Sequence, residues 1–188
     1  MSAIKWRFGA AVLGCLGALT LASCGTQAPY ETGAIAQGGV EDTLYVPETD
    51  FHLESCAMNP TIPTKPGYEE WVAGDGNTWA MIKVAITSRS EKQSYNVLRY
   101  IRATANYKRA DGDTEYLTNQ GEVHQLAGNP SIDIEDNLTP GRTIDVTFAF
   151  KVPSDATMTK FNIRNEWFNS KAYAEFDLPA GYCAPANG

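Results

Sequence analysis

From Thr143 to Pro153 the chain alternates for a full strand length. Ile144, Val146, Phe148, Phe150 and Val152 hold one parity, and Asp145, Thr147, Ala149 and Lys151 hold the other. A side-chain period of two means extended backbone with one face in a core and one in water. Pro153 lacks the N–H that a ladder requires, so the strand ends there. The pattern recurs from Asn77 to Ser88, where Ile82, Val84 and Ile86 alternate with Lys83, Ala85 and Thr87. Two half-buried strands of this length each need a second layer against them, which commits the chain to a β architecture.

The remaining segments agree. Strands are expected over Phe51 to Met58, Glu122 to Leu126, Lys160 to Phe168 and Lys171 to Leu178, and a long one over Ser94 to Arg109 with Val97, Ile101 and Tyr107 in phase. Asp111-Gly112 before Tyr116-Leu117-Thr118 reads as a hairpin, because glycine accepts positive φ. Phe168-Asn169-Ser170-Lys171 reads as the last one. Helix formers at Ala80 to Ala85 and Tyr100 to Ala105 compete weakly, given Gly74, Gly76 and Gly112 beside them. The expected fold is all-β: an immunoglobulin-like β-sandwich of about seven antiparallel strands over residues 48–188, with a small closed barrel as its rival. Trp79 or Trp71 is a candidate buried aromatic beside Cys56.

Upstream, Lys5 and Arg7 precede an apolar run from Phe8 to Ser23, and Leu21-Ala22-Ser23-Cys24 closes it. The run holds 16 residues, three of them glycine, which is short of the ~20 that span a bilayer. A basic start, an apolar stretch and small residues before a cleavage point make a secretory signal peptide. Cysteine directly after the small residues makes it a lipobox. Residues 1–23 are thus expected to be removed and Cys24 to carry a thioether-linked diacylglyceryl group, leaving the chain anchored to a membrane but not spanning it. Residues 24–47, with small and polar positions such as Gly25, Thr26, Gln27, Gly38 and Gly39, read as a flexible tether, although Leu44-Tyr45-Val46 could already pack on the domain.

Four cysteines are present. Cys15 leaves with the signal peptide and Cys24 takes the lipid, so Cys56 and Cys183 remain as the one possible intramolecular pair. An exported domain in an oxidising compartment favours a bridge between them. Neither sits in a C-x-x-C pair, which argues against metal binding by these two.

Removing residues 1–23 leaves 13 basic against 22 acidic residues, a net charge of −9. That balance disfavours nucleic acid and anionic lipid headgroups as partners, since both need a positive surface. A catalytic reading finds no support. The chain holds no Gly-x-Ser-x-Gly elbow, Ser-x-x-Lys or His-Glu-x-x-His, and His52 and His124 lie alone in strand-like segments. No cofactor motif is present. Two acidic clusters, Asp111 with Asp113 and Glu115, and Asp133 with Glu135 and Asp136, fall short of a calcium loop. His52, Met58, Met81 and Met158 could supply soft copper donors, yet methionines are more often core filler.

The order of elements resembles a known family. It runs from Phe51–Leu53 to the Trp79–Ile86 strand entering Thr87-Ser88-Arg89-Ser90, then to the Ala110-Asp111-Gly112 turn. Leu138-Thr139-Pro140-Gly141 and Phe148-Ala149-Phe150-Lys151-Val152-Pro153 complete it. This resembles the immunoglobulin-like domains of unknown function in surface lipoproteins of Gram-positive bacteria, a group related to the secreted immunoprotective antigens of actinobacteria. The resemblance implies a β-sandwich and a surface location, and it carries over no catalytic residue. The chain departs from the family where Ser88-Arg89-Ser90 replaces a usual asparagine, and the paired cysteines are not a general family trait.

Aromatic residues exceed what one sandwich core needs, and the segment Pro60 to Gly76, bearing Tyr68 and Trp71, is long for a sandwich loop. The sequence therefore points to a non-enzymatic, lipid-anchored surface module that binds a protein or envelope component, with Tyr68 and Trp71 as candidate contacts. A metal-binding lipoprotein and an architectural envelope component are the competing readings.

Overall fold

A computed structural model describes residues 35–62, 69–117, 122–124, 137–168 and 171–185. The strands, in chain order, are β1 (Ile35–Gly38), β2 (Thr43–Val46), β3 (Thr49–Asn59), β4 (Thr61–Ile62), β5 (Trp71–Val72), β6 (Asn77–Ser88) and β7 (Tyr95–Asn96). A single helical turn, α1 (Val97–Tyr100), follows. The chain continues with β8 (Ile101–Lys108), β9 (Thr114–Leu117), β10 (Glu122–His124), β11 (Asn137–Leu138), β12 (Thr143–Pro153), β13 (Thr157–Asn165), β14 (Tyr173–Asp177) and β15 (Ala184–Pro185). Among the described residues no helix is long and apolar enough to cross a membrane.

Two sheets face each other. One runs β10-β12-β6-β3-β15, with β2 also on β3, and the other runs β1-β14-β13-β8-β9. With β3, β6, β12 and β10 taken as A, B, E and D, and β14, β13, β8 and β9 as G, F, C and C′, the order is that of an immunoglobulin-like sandwich. The two alternating segments form its centre: β6 and β12 pair along their whole length, from Thr143 with Thr87 to Pro153 with Asn77. Their inward parity, Ile82, Val84, Ile86, Val146, Phe148 and Phe150, enters one core with Ile101, Ala103, Ala105, Phe161, Ile163 and Phe176 from the opposite sheet. Phe161 lies at its middle, with ring centroids 5.8 Å from Phe148, 6.2 Å from Phe150 and 6.3 Å from Phe176.

Three features correct the sequence reading. The first concerns the tether. Residues 35–46 belong to the sandwich: β1 pairs in parallel with β14 and β2 pairs antiparallel with β3, so consecutive strands join opposite sheets and close one side. Ala36, Leu44 and Val46 are buried there. The stretch between them turns tightly, with Gly39 N–H donating to Asp42 Oδ2 at 2.7 Å. The second concerns the strand expected from Ser94 to Arg109, which α1 interrupts. The Asn96 side chain accepts from Arg99 N–H at 2.9 Å and caps the turn, a local alternative to extended pairing that asparagine supplies readily. The third concerns pairing sense. β1 and β15 run parallel to their partners, so the sandwich is not wholly antiparallel.

A bulge in β3 decides where the disulfide lies. Register with β6 shifts between Leu53 and Ser55. Before the shift Phe51 and Leu53 are buried, and after it Cys56 and Met58 pack against the same core. One inserted residue exchanges the parity of every side chain beyond it. Cys56 thereby meets Cys183 with the Cα atoms 4.6 Å apart, and β15 continues beside Ala57 and Met58. The C-terminal segment, arriving from the opposite sheet, is thus stapled to the edge of β3.

The turn at Leu138-Thr139-Pro140-Gly141 is built as its residues require. Gly141 has φ 72°, Arg142 N–H donates to Thr139 O at 3.1 Å, and Gly141 N–H donates to Ser88 O at 3.0 Å. Proline followed by glycine suits a turn with positive φ at its third position. It anchors the start of β12 against the end of β6.

Candidate functional site

Within the segment Pro60 to Gly76, the described residues 60–62 and 69–76 fold back on the outer face of the β6/β12 sheet as a flap. β4 and β5 pair as Thr61 with Val72 and Ile62 with Trp71, and Ala73 N–H donates to Pro60 O at 2.9 Å. Its inner side buries Ile62 and Ala73 against Trp79, Met81 and Ala149, a second apolar cluster separate from the main core. Trp79 causes this arrangement. It sits on the parity of β6 that should face water, and an indole there needs cover. The flap provides it, and Trp79 Nε1–H donates to Trp71 O at 3.1 Å. Gly74 and Gly76, at φ 85° and 70°, make the return to β6 that Cβ-bearing residues would strain.

The outer side of the flap carries the exposed apolar surface. Trp71 is 46 % and Val72 65 % exposed, beside the exposed carboxylates Glu69, Glu70 and Asp75. Of the two aromatic residues expected to form a binding surface, Trp71 is exposed, and Tyr68 lies outside the described residues. Trp79 is buried, but in the outer cluster and not beside Cys56, which faces the main core. Tyr95 and Tyr107 are buried within the main core and so do not add to the exposed aromatic surface.

A second exposed aromatic group lies at the opposite end, on the turn after β13. The Trp167 and Tyr100 rings meet edge to face at 4.5 Å, Arg99 lies 5.3 Å from the Tyr100 ring centre, and Trp167 Nε1–H donates to Gln93 Oε1 at 3.2 Å. The sequence reading did not single out Trp167, although its position next to a hairpin turn was the available signal. Beneath this group lies a buried polar knot. Asn165 Nδ2–H donates to Thr49 Oγ1 at 2.8 Å, and Thr49 Oγ1 and Tyr95 Oη are 3.0 Å apart. Burial pushes the Tyr95 phenol up to about 12, against the opposing effect of its hydrogen bond to Thr49.

The other candidates have local roles or fall elsewhere. Asp111 Oδ1 accepts from Asp113 N–H at 3.1 Å, which closes the β8–β9 turn around Gly112 at φ 91°. The Asp133, Glu135, Asp136 cluster and Cys24 lie outside the described residues, as do the side chains of Glu115 and His124. His52 is on the outer face, its Nδ1 3.2 Å from Asp42 O, whereas Met158 is in the core and Met81 in the outer cluster. The soft donors are therefore split between two faces of a sheet. Among the described residues no three His, Cys, Asp or Glu side chains gather as a metal site. On the outer sheet faces, Lys83 bridges Glu54 and Asp145, and Lys160 bridges Glu175 and Asp177, which raises both ammonium pKa values, chiefly through hydrogen bonds to Glu54 and to Glu175. Arg89 pairs with the buried Asp50.

No family model matches the chain, and no curated protein does. Solved structures do resemble it. An uncharacterised β-sandwich protein from Clostridium difficile 630 aligns with a TM-score of 0.52 at 13 % identity, over 80 % of this chain and 99 % of that one. A candidate lipoprotein from Staphylococcus aureus subsp. aureus NCTC 8325 aligns at 0.39 and 12 % identity, over 76 % and 97 %. A protein from Enterococcus faecalis, solved by NMR, aligns at 0.38 and 16 %, over 77 % and 94 %. The clostridial likeness is one of fold: this chain is a β-sandwich protein.

Proposed function

We propose that the chain is a non-enzymatic, lipid-anchored binding module of the cell surface, held through Cys24 and engaging a protein or cell-envelope component with its flap. The observation that carries the reading is the flap itself. Its inner side is locked by Ile62, Ala73 and the Trp79 indole, and its outer side holds Trp71 and Val72 in water. A rigid support under exposed aromatic surface is what a binding contact needs, because little conformational entropy remains to be lost on association. The lipobox ending at Cys24 and the resemblance to immunoglobulin-like surface lipoproteins of Gram-positive bacteria support the location.

The test is a binding isotherm of the purified mature chain, labelled on an amine, on isolated cell envelopes. Saturable binding that falls at least tenfold in the Trp71→Ser, Val72→Ser double variant, with unchanged thermal unfolding, is the expected result. Binding that is absent, or equal in the variant, would refute the flap as the contact.

A further inference from the structure

Whole-chain charge disfavours an anionic membrane as a partner, but the fold sorts that charge by end. Ile35, where the described chain begins, pairs with Tyr173. The same end collects Thr49 with Ser88, Thr87 with Thr143, and Ile101 with Asn165. Over residues 35, 46–50, 86–102, 138–144 and 163–173 the described positions hold seven cations against four carboxylates, a net +3. Two of those carboxylates are already engaged, Asp50 by Arg89 and Glu166 by Arg102 and Arg164. Lys92, Arg99 and Lys171 are exposed there. At the flap end, residues 69–77, 108–113, 151–157 and 177–183 hold seven carboxylates against three cations, a net −4.

The positive end also carries exposed apolar and aromatic surface: Ile35 at 50 % and Trp167 at 37 %, with the Tyr100 ring against Trp167. Tryptophan, tyrosine and cations together suit the headgroup level of a bilayer, where an amphipathic ring has an apolar side and a wet side and anionic lipid attracts basic side chains. The chain length agrees. Eleven residue steps separate Cys24 from Ile35, a reach of at most about 40 Å. The flap covers Trp79, Met81 and Ala149, six to nine residue steps from the Ser88 and Thr143 ends of β6 and β12, a further ~20–30 Å.

We infer that this positive, Trp167-bearing end rests on the anionic headgroups of the membrane that holds the chain, which directs the acidic flap outward. The inference rests on the lipid-anchored reading above and adds an orientation to it. Docking of this end leaves Trp71 and Val72 on the remote side, where a partner from outside meets them.

The experiment uses the mature chain lipidated at Cys24 and reconstituted in vesicles of phosphatidylcholine mixed with phosphatidylglycerol. Bromine on the acyl chains quenches tryptophan by contact. The mature chain holds Trp71, Trp79 and Trp167. Quenching is expected, is lost in Trp167→Phe and is unchanged in Trp71→Phe. The Lys92→Glu, Arg99→Glu pair and high salt each reduce it severalfold, as screening of surface charge requires. Flotation of the same vesicles reports the anchor separately. A chain that floats without quenching, or whose quenching survives Trp167→Phe, overturns the orientation and leaves the anchor intact. A chain that does not float refutes the anchored reading and the orientation with it.

Discussion

Removing the Cys56–Cys183 bridge is the perturbation whose size the structure sets most clearly. The bridge closes a loop with a sequence separation of 127, which contains every strand of both sheets except β1, β2, β15 and the first seven of the 11 residues of β3. Loop-closure entropy for that length gives about 5 kcal/mol of stability at 25 °C, since the open unfolded chain gains the freedom the bridge denies it. Domains of this size are stable by about 5–15 kcal/mol in total, so the loss is between a third and all of it. The Cys56→Ala, Cys183→Ala double variant avoids stranding a thiol. Guanidinium unfolding should show the midpoint falling and the m-value rising, because the unlinked unfolded chain expands. A thermal midpoint about 10–20 °C lower is expected. The structure also predicts where the change is felt. β15 is held beside Ala57 and Met58 by the bridge, so their amides should lose exchange protection while those of β1 and β2 keep theirs. A loss under about 1 kcal/mol with an unchanged m-value would refute the cross-link argument.

Three further perturbations test the packing. Tyr95 holds its proton to about pH 12 in the folded chain and to about 10 unfolded, so its contribution is complete below pH 10 and is lost as pH rises towards 12. Denaturant titrations at alkaline pH should show that decline, and Tyr95→Phe should be less stable at neutral pH by about 1 kcal/mol and flatter above pH 10. Gly38→Ala places a Cβ 2.5 Å from Asp42 Oδ2 and 2.8 Å from Leu44 Cδ2, so the β1–β2 crossing must shift, at a cost of about 1–3 kcal/mol read from the unfolding midpoint. An unchanged midpoint would contradict that crowding. Phe161→Ala empties the centre between three facing rings and should cost about 3–5 kcal/mol by the same assay; a cost below 1 would mean the core collapses around it.

Much of the sandwich was legible because its central strands obey one rule without interruption. β6 and β12 coincide with the segments whose alternation defined them, and Asp111-Gly112 and Phe168–Lys171 do join paired strands. The misreadings have physical causes. Ile35–Gly38 is too short to show a period, and it becomes a strand only because β14, far along the chain, offers an open edge. The Asn96 cap is a local hydrogen bond that overrides a strand pattern for one turn. The β3 bulge alters parity without any change of composition, so Cys56 could be paired from the cysteine count but not assigned a face. Trp79 was visible as a large aromatic, yet only the folded flap shows that its cover lies outside the main core. Net charge was the least informative quantity about surface layout, since a sum over the chain hides the separation of Lys92, Arg99 and Lys171 from Glu69, Glu70 and Asp111 to opposite ends. The Trp71 candidate was legible as an aromatic in a long loop, whereas Trp167 acquires meaning only from the end of the sandwich it shares with Ile35.

The most direct test of an anchored surface module is non-reducing peptide mapping of the protein recovered from membranes. The account predicts an N-terminal peptide that begins at Cys24 with the mass of its diacylglyceryl group, and a Cys56–Cys183 linked peptide in the same digest. A peptide still carrying residues 1–23, or Cys24 with a free thiol, would contradict it.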